Sequence, residues 1–127
     1  MTVSHEELFQ RYVHAGPLTH NADAVAELFT EDGVFEAPLM PEGHRLPRRL
    51  AGRAAIREGY AAFHREPAYQ GAVDVERSGY VLHETRDPDV FIAEIDTVLG
   101  DATVSIVQIF RVRDGRIAHL RDYFRAP

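Results

Sequence analysis

The sequence predicts an α+β fold in which three N-terminal helices pack against a cone-shaped, curved and mostly antiparallel sheet. Apolar residues recur at helical spacing in the first half of the chain. Alternating segments rich in valine and tyrosine, separated by short turns, fill the second half. Helices followed by strands place the helices on one face of a sheet. At 127 residues, without a repeat or a linker, the chain predicts a single domain over 1–127.

The first two helices are predicted from their capping residues. Ser4 and Glu7 fit a capping box, and apolar residues follow at helical spacing. The Gly16-Pro17 pair is expected to end this helix. Asn21 or Asp23 is expected to cap the second helix.

A short strand, a long loop and a third helix are predicted next. Pro38 is expected to stop a strand over Val34–Ala37, because proline cannot donate to a sheet. Residues 39–52 predict a loop long enough to form a lid or a rim. A third helix is predicted over about 53–65. The strands of the second half are predicted at 71–85, with Gly79 as a bulge, and at 90–99, 103–113 and 116–124.

The composition excludes several classes of chemistry. The absence of cysteine excludes a disulfide framework, a thiolate zinc site and a cysteine nucleophile. All 14 basic residues are arginine, which excludes a Schiff-base lysine and a P-loop lysine. The seven histidines show no metal-binding spacing, and no glycine-rich phosphate loop occurs. We therefore expect no metal and no cofactor, and the net charge of −6 disfavours nucleic acid as a partner.

The chain also predicts no contact with a membrane. No segment approaches the roughly 20 apolar residues of a transmembrane helix. The start of the chain, 1–7, is polar and acidic, and no signal-peptide core follows it. A cytoplasmic location is the resulting expectation.

A few polar residues stand on strand faces that are otherwise apolar. Because side chains alternate along a strand, Asp122 shares a face with Ala118, Leu120 and Phe124. Gln108 likewise interrupts an apolar face of the preceding strand. Glu94 and Asp96 share a face with Val90, Ile92 and Val98, although the opposite face of that strand is apolar too.

Carboxylates in such places are costly unless they are paired, solvated or protonated. A cavity into which they point would raise their pKa values and suit general acid–base catalysis. Asp122, Asp96 and Glu94 are therefore the predicted catalytic residues. The alternative is that Asp122 and Glu94 pair with arginines at a sheet edge, or that a bulge turns Glu94 outward. His119 lies on the opposite strand face from Asp122, where a surface or interface role is expected.

The outer face of the sheet predicts a homodimer. Thr103, Ser105, Val107 and Ile109 form a half-apolar face of one strand. Ile117 and Tyr123 are expected to extend it on the next strand. A patch of this size favours a second copy of the chain.

Three segments together resemble a known superfamily. The segments 26–36, 52–57 and 109–124 are similar to the helix–turn–strand, the third helix and the last hairpin of the nuclear transport factor 2-like superfamily, in its SnoaL-like group. The match spans nearly the whole chain in the right order. The resemblance implies a cone-shaped α+β barrel, a deep apolar pocket between helices and sheet, and a homodimer through the sheet.

The resemblance implies different roles for the candidate residues, depending on the subgroup. Similarity to the ketosteroid isomerases places Tyr12 in the oxyanion hole, but the base falls on Ala37 and the second oxyanion-hole acid on Gln108. Similarity to the limonene epoxide hydrolases matches two aspartates of their triad with Asp122 and Asp96. The arginine between those aspartates is Glu94 here. Polyketide cyclases and the phenazine-pathway proteins carry an acid on the last strand, where this chain has Asp122.

We therefore expect a cofactor-free acid–base enzyme of the cyclase, isomerase or dehydratase type, acting on a small hydrophobic, cyclic or polyketide-like substrate. Two alternatives remain open: a binding module without catalysis, and activation of water as in epoxide hydrolysis. The predicted substrate-binding residues are Tyr12, Gln108, Leu120, Phe124, Phe35 and Tyr60.

Overall fold

The helices precede the strands, as predicted. A computed structural model describes residues 3–44, 46–67 and 71–125. Its elements, in chain order, are α1 His5–Val13, a π-helical turn His14–Leu18, α2 Ala22–Glu27, β1 Phe29–Glu36, β2 Arg49–Ala51, α3 Arg53–Arg65, β3 Gly79–Glu84, β4 Val90–Leu99, β5 Ala102–Arg113 and β6 Arg116–Tyr123.

The strands form one six-stranded sheet in the order β2-β1-β6-β5-β4-β3. Neighbouring strands are antiparallel, except that β1 runs parallel to β6. The sheet does not close into a full barrel, and the helices cover its concave face. This arrangement confirms the predicted cone-shaped α+β fold. Its interior is packed with large apolar side chains from both layers: Leu8, Phe9, Val25, Phe29, Phe35, Ile56, Phe91, Phe110 and Leu120.

The helix caps confirm part of the prediction and correct part of it. Ser4 accepts a hydrogen bond from the backbone N–H of Glu7 at 3.1 Å and so begins α1. Asn21, rather than Asp23, caps α2. The chain does not leave the helical path at Gly16-Pro17, because α1 continues into a π-helical turn that contains Pro17. No helix in the described ranges is long and apolar enough to cross a membrane.

Several predicted strand boundaries were wrong. β1 begins at Phe29, five residues earlier than predicted, and the predicted loop over 39–52 contains the short strand β2. Within 71–85, only Gly79–Glu84 forms a strand. Gly79 pairs with Asp96 in regular register, so the predicted bulge does not occur there.

A bulge lies in β6 instead, at Ala118. Val112 pairs with Ile117, but Arg111, one residue before Val112, pairs with His119. The extra residue in β6 changes the phase of the alternation, as a β-bulge does. Ile117 consequently points into the core and is 0% exposed. The prediction that Ile117 belongs to the outer patch was therefore wrong.

Candidate functional site

Asp122 lies on the core face of β6, enclosed between the sheet and the helices. Asp122 is 8% exposed, and it lies directly opposite Gln108 in the β5–β6 strand pair. β1 pairs in parallel with β6, and Glu36 lies opposite Arg121. The next residues of the two chain segments, Ala37 and Asp122, therefore lie side by side. One carboxyl oxygen, Oδ1, is buried and has no hydrogen-bond partner among the described residues. A buried and unpaired carboxyl oxygen is rare in proteins, which makes this position a candidate for function.

Burial raises the pKa of the Asp122 carboxyl to about 7, and a hydrogen bond with Gln108 partly opposes this rise. The physical cause is desolvation, which penalises the charged carboxylate more than the neutral acid. Both protonation states are then populated near neutral pH. A carboxyl group with such a pKa can serve as either a general acid or a general base.

Two tyrosine hydroxyls lie beside this carboxyl. Tyr12 from α1 and Tyr60 from α3 are buried, and their hydroxyl oxygens are 2.5 Å apart. Burial, reinforced by the charge of Asp122, raises the pKa of Tyr12. Burial also raises the pKa of Tyr60. Both phenols therefore stay protonated at neutral pH. One hydroxyl donates to the other, which leaves the second O–H as a potential donor to a bound molecule.

The remaining predicted substrate-binding residues line the same interior. Phe35, Leu120 and Phe124 are all buried; Leu120 precedes Asp122 by two residues on the same face of β6, and Phe124 follows the end of that strand. The rings of Phe35 and Tyr60 are 5.4 Å apart and nearly perpendicular. The structure thus brings together Asp122 and all six predicted binding residues, although their roles in binding stay predictions.

Glu94 and Asp96 do not share this interior with Asp122. Both are exposed on the outer face of β4. His83 Nε2 lies 2.5 Å from a Glu94 carboxylate oxygen, and the Ser105 hydroxyl donates to Asp96 at 2.7 Å. The expectation that the three acids line one cavity was therefore wrong. The physical reason is that β4 turns its other face, with Phe91 and Ala93, toward the core.

Two histidines complete the description of this region. His119 lies on the outer face of β6, as predicted, where its Nε2 is 2.5 Å from a carboxylate oxygen of Glu36. His64 was not predicted, although it follows Tyr60 by one helical turn, a spacing that places both on one helix face. Its ring lies 5.9 Å from that of Tyr60 and stacks on His20. Partial burial and the neighbouring His20 lower the pKa of His64.

The interior around Asp122 is lined by buried side chains. Two open concavities lie outside it. One, of about 500 Å³, lies between α1 and α2 and includes Arg11 and His14. The other, of about 520 Å³, lies on the sheet and includes Asp96 and Tyr123. A molecule that reaches the Asp122 carboxyl must therefore displace side chains of the cone. Among the described residues, no group of three or more metal-binding side chains is placed to hold an ion.

Comparison with known proteins identifies the same fold. Residues 9–120 match the family model of the SnoaL-like domain. The uncharacterized protein YesE of Bacillus subtilis (strain 168) is 31% identical over 108 residues, which cover 77% of this chain and 66% of that protein. The chain thus spans just under two thirds of the length of this relative.

Solved structures share the architecture. A proposed isomerase from Bacillus subtilis superposes with a TM-score of 0.73 at 26% identity, covering 94% of this chain and 84% of that one. A phenazine biosynthesis-related protein from Pseudomonas aeruginosa gives a TM-score of 0.69 at 19% identity, covering 94% and 74%. With a family match over most of its length, the chain belongs to the SnoaL-like domain family.

Proposed function

We propose that this protein is a cofactor-free acid–base enzyme that transfers a proton on a small, largely apolar molecule, with Asp122 as the catalytic group. One observation carries the proposal: a buried carboxyl whose Oδ1 has no partner lies beside buried phenols. Burying such a group destabilises the fold, and groups of this kind cluster at functional sites. The similarity to a proposed isomerase supports the same reaction type.

The proposed mechanism gives each neighbour of Asp122 a role. The ionised carboxylate takes a proton from a carbon or oxygen atom of the substrate and returns it at another position. Charge then develops on a substrate oxygen. In this mechanism the amide N–H₂ of Gln108 and the hydroxyl of Tyr12, which lie beside Asp122, donate hydrogen bonds to that oxygen and stabilise the transition state. The enclosed site keeps water away and strengthens these interactions.

Water activation by two aspartates receives less support. Asp96 lies on the outer face of β4, two strands away from Asp122, which faces the core. Among the residues that the structure describes, no arginine contributes to the pKa of Asp122. A binding module without catalysis is the main competing function. It would use the same interior, but it would not depend on the protonation state of Asp122.

The pH dependence of turnover tests the proposal. A suitable probe is cyclohex-3-en-1-one, whose isomerisation to the conjugated enone is followed by ultraviolet absorbance. If Asp122 acts as the base, kcat/KM should rise with pH and level off above about pH 7, because the carboxylate is then the populated form. If the protein binds cyclic ketones but isomerises none of a panel of them faster than buffer alone does, the result would favour the binding module.

We further propose a cytoplasmic homodimer that forms through the outer face of the sheet. Val81 and Val107 are 58% and 39% exposed there. They lie in one cross-strand row with Glu94 and Tyr123. Exposed apolar side chains grouped on one sheet face are typical of an interface.

A substitution on this row tests the homodimer. Val107→Asp should shift the sedimentation coefficient from dimer to monomer at micromolar protein concentration, because a charge would be buried without a partner. Val75→Asp is the matched control, since Val75 is 63% exposed outside the strands and should not affect assembly. A wild-type protein that sediments as a monomer would contradict the proposal.

A further inference from the structure

The site around Asp122 is acidic, and no cation of the described residues contributes to the pKa of its carboxyl. The titratable groups that face Asp122 are the phenols of Tyr12 on α1 and Tyr60 on α3. The strands beside it contribute only the neutral Gln108 and Ala37. No arginine or histidine in the described part of the chain shifts the charge state of this carboxyl. Whatever charge the site acquires is therefore negative.

Two arginines of the neighbouring elements contact other groups. Arg121, the preceding residue of β6, points to the outer face, where its Nε lies 3.7 Å from Glu36. Arg53, at the start of α3, donates to the backbone carbonyl of Phe29 at 2.7 Å. Neither arginine therefore supplies a positive charge that would offset the repulsion between a bound anion and the Asp122 carboxylate.

Two aromatic rings, those of Tyr12 and Tyr60, lie beside the same carboxyl. The rings of Tyr12 and Phe110 are 5.6 Å apart at 81°, and those of Tyr12 and Tyr60 are 6.4 Å apart at 88°. Rings at nearly right angles form two adjacent walls rather than a parallel stack. Phe124, which is also buried, follows Asp122 by two residues, just after the end of β6. An ammonium group near aromatic faces gains a cation–π interaction, which is strongest when water is excluded.

We infer that this site selects its ligand by charge and takes a protonated amine on an apolar frame, with the Asp122 carboxylate as the counter-ion. The inference names a substrate class for the site of the proposed function, but it concerns binding and does not require turnover. The ammonium supplies the partner that Asp122 Oδ1 lacks. The apolar frame contacts Leu120, Phe35 and the tyrosine rings, which are buried here, once side chains of this interior have moved aside.

Three ring-matched probes test this inference: cyclohexylmethylamine, cyclohexanecarboxamide and cyclohexanecarboxylate. Their affinities are measured by isothermal titration calorimetry. We expect the amine to bind more tightly at about pH 8 than at about pH 6, by about 10-fold, because the ionised fraction of Asp122 rises about 10-fold across its pKa of about 7. The carboxamide should show little change. The carboxylate should bind most weakly at about pH 8, where both charges are negative.

Variants locate the binding site. Asp122→Asn should remove the pH dependence and weaken the amine about 10-fold or more at about pH 8, while carboxamide affinity is kept. The outer groove, where Asp96 lies near Tyr80 and Tyr123, is the rival site for an amine. Loss of amine binding in Asp96→Asn, with wild-type binding in Asp122→Asn, would overturn the inference. Equal affinity for amine and carboxamide at about pH 8 would also overturn it.

Amine binding and turnover can fail separately. Amine selection with the expected pH dependence, in a protein that turns over no ketone, would support the inference and contradict the catalytic proposal. Turnover of the ketone with no preference for the amine would do the reverse.

Discussion

Asp122→Asn is expected to lower kcat for ketone isomerisation by about 10²- to 10⁴-fold, the usual contribution of a general acid or base. Asparagine has nearly the same shape as aspartic acid, but its amide can neither take up nor release the proton. The KM for a neutral ketone should change little, because Tyr12, Gln108 and the apolar wall remain. The measurement is steady-state kinetics at about pH 8, where the wild-type carboxylate is the main form.

Asp96→Asn is the matched control for this experiment. It makes the same chemical change on an aspartate of the same sheet, but on the outer face, where Asp96 accepts a hydrogen bond from Ser105. Its kcat should stay within about twofold of the wild type, because surface changes of this kind have small effects. Full turnover in Asp122→Asn would contradict the catalytic assignment. A loss confined to Asp96→Asn would restore the sequence-based prediction for that residue.

The second large effect concerns the free energy of unfolding and its dependence on pH. The pKa of Asp122 is 3.8 in a model peptide and about 7 in the folded protein, because burial penalises the carboxylate. Between these values the folded state holds a proton that the unfolded state has lost, so stability falls as pH rises. The stabilising contribution is complete below about pH 4 and is lost as the pH passes about 7. A shift of this size corresponds to about 4 kcal/mol.

The difference in stability between wild type and Asp122→Asn isolates this group from all other titrating residues. Relative to the variant, the wild type should lose about 4 kcal/mol between about pH 4 and about pH 8. Urea unfolding at a series of pH values measures the difference. The difference in unfolding free energy between the wild type and Asp96→Asn should change little with pH. A flat curve for Asp122→Asn would mean that the carboxyl titrates normally and is solvated in the folded protein.

These two predictions are linked by a single physical cause. Desolvation of Asp122 places its pKa close to neutral pH, and the same desolvation lowers the stability of the fold. If the site is catalytic, Asp122→Asn should therefore have two effects at about pH 8: it should stabilise the protein and strongly lower kcat. A trade of stability for activity is common at functional sites. A residue with only a structural role has no reason to show both effects.

Most of the fold could be predicted from local patterns. The capping by Ser4, the alternation within β5 and the two-residue turn between β5 and β6 are each set by a few neighbouring residues. The same alternation placed Asp122 and Gln108 correctly on apolar strand faces. Strand limits were less predictable. β2 is only three residues long, and it exists because Arg49–Ala51 pairs with Val34–Glu36, a contact that no local pattern reveals.

The candidate site was only partly predictable, because β4 is apolar on both faces. Phe91, Ala93 and Ile95 alternate with Val90, Ile92, Glu94 and Asp96. Hydrophobicity along this strand does not say which set turns inward. The choice is made by packing, since Phe91 stacks on Phe110 and on His5 of α1. That packing places the two acids on the outer face and leaves Asp122 as the one buried carboxylate among the described residues.

The sequence by itself determined the α+β class, the order of helices and strands, and the presence of an acid on the apolar face of the last strand. It could do so because periodicity and turn chemistry act over a few residues. Only the tertiary structure decided that Glu94 and Asp96 face outward, that the Ala118 bulge turns Ile117 into the core, and that Tyr12 and Tyr60 meet beside Asp122. Those outcomes depend on contacts between distant segments, whose register and packing are settled when the whole core forms.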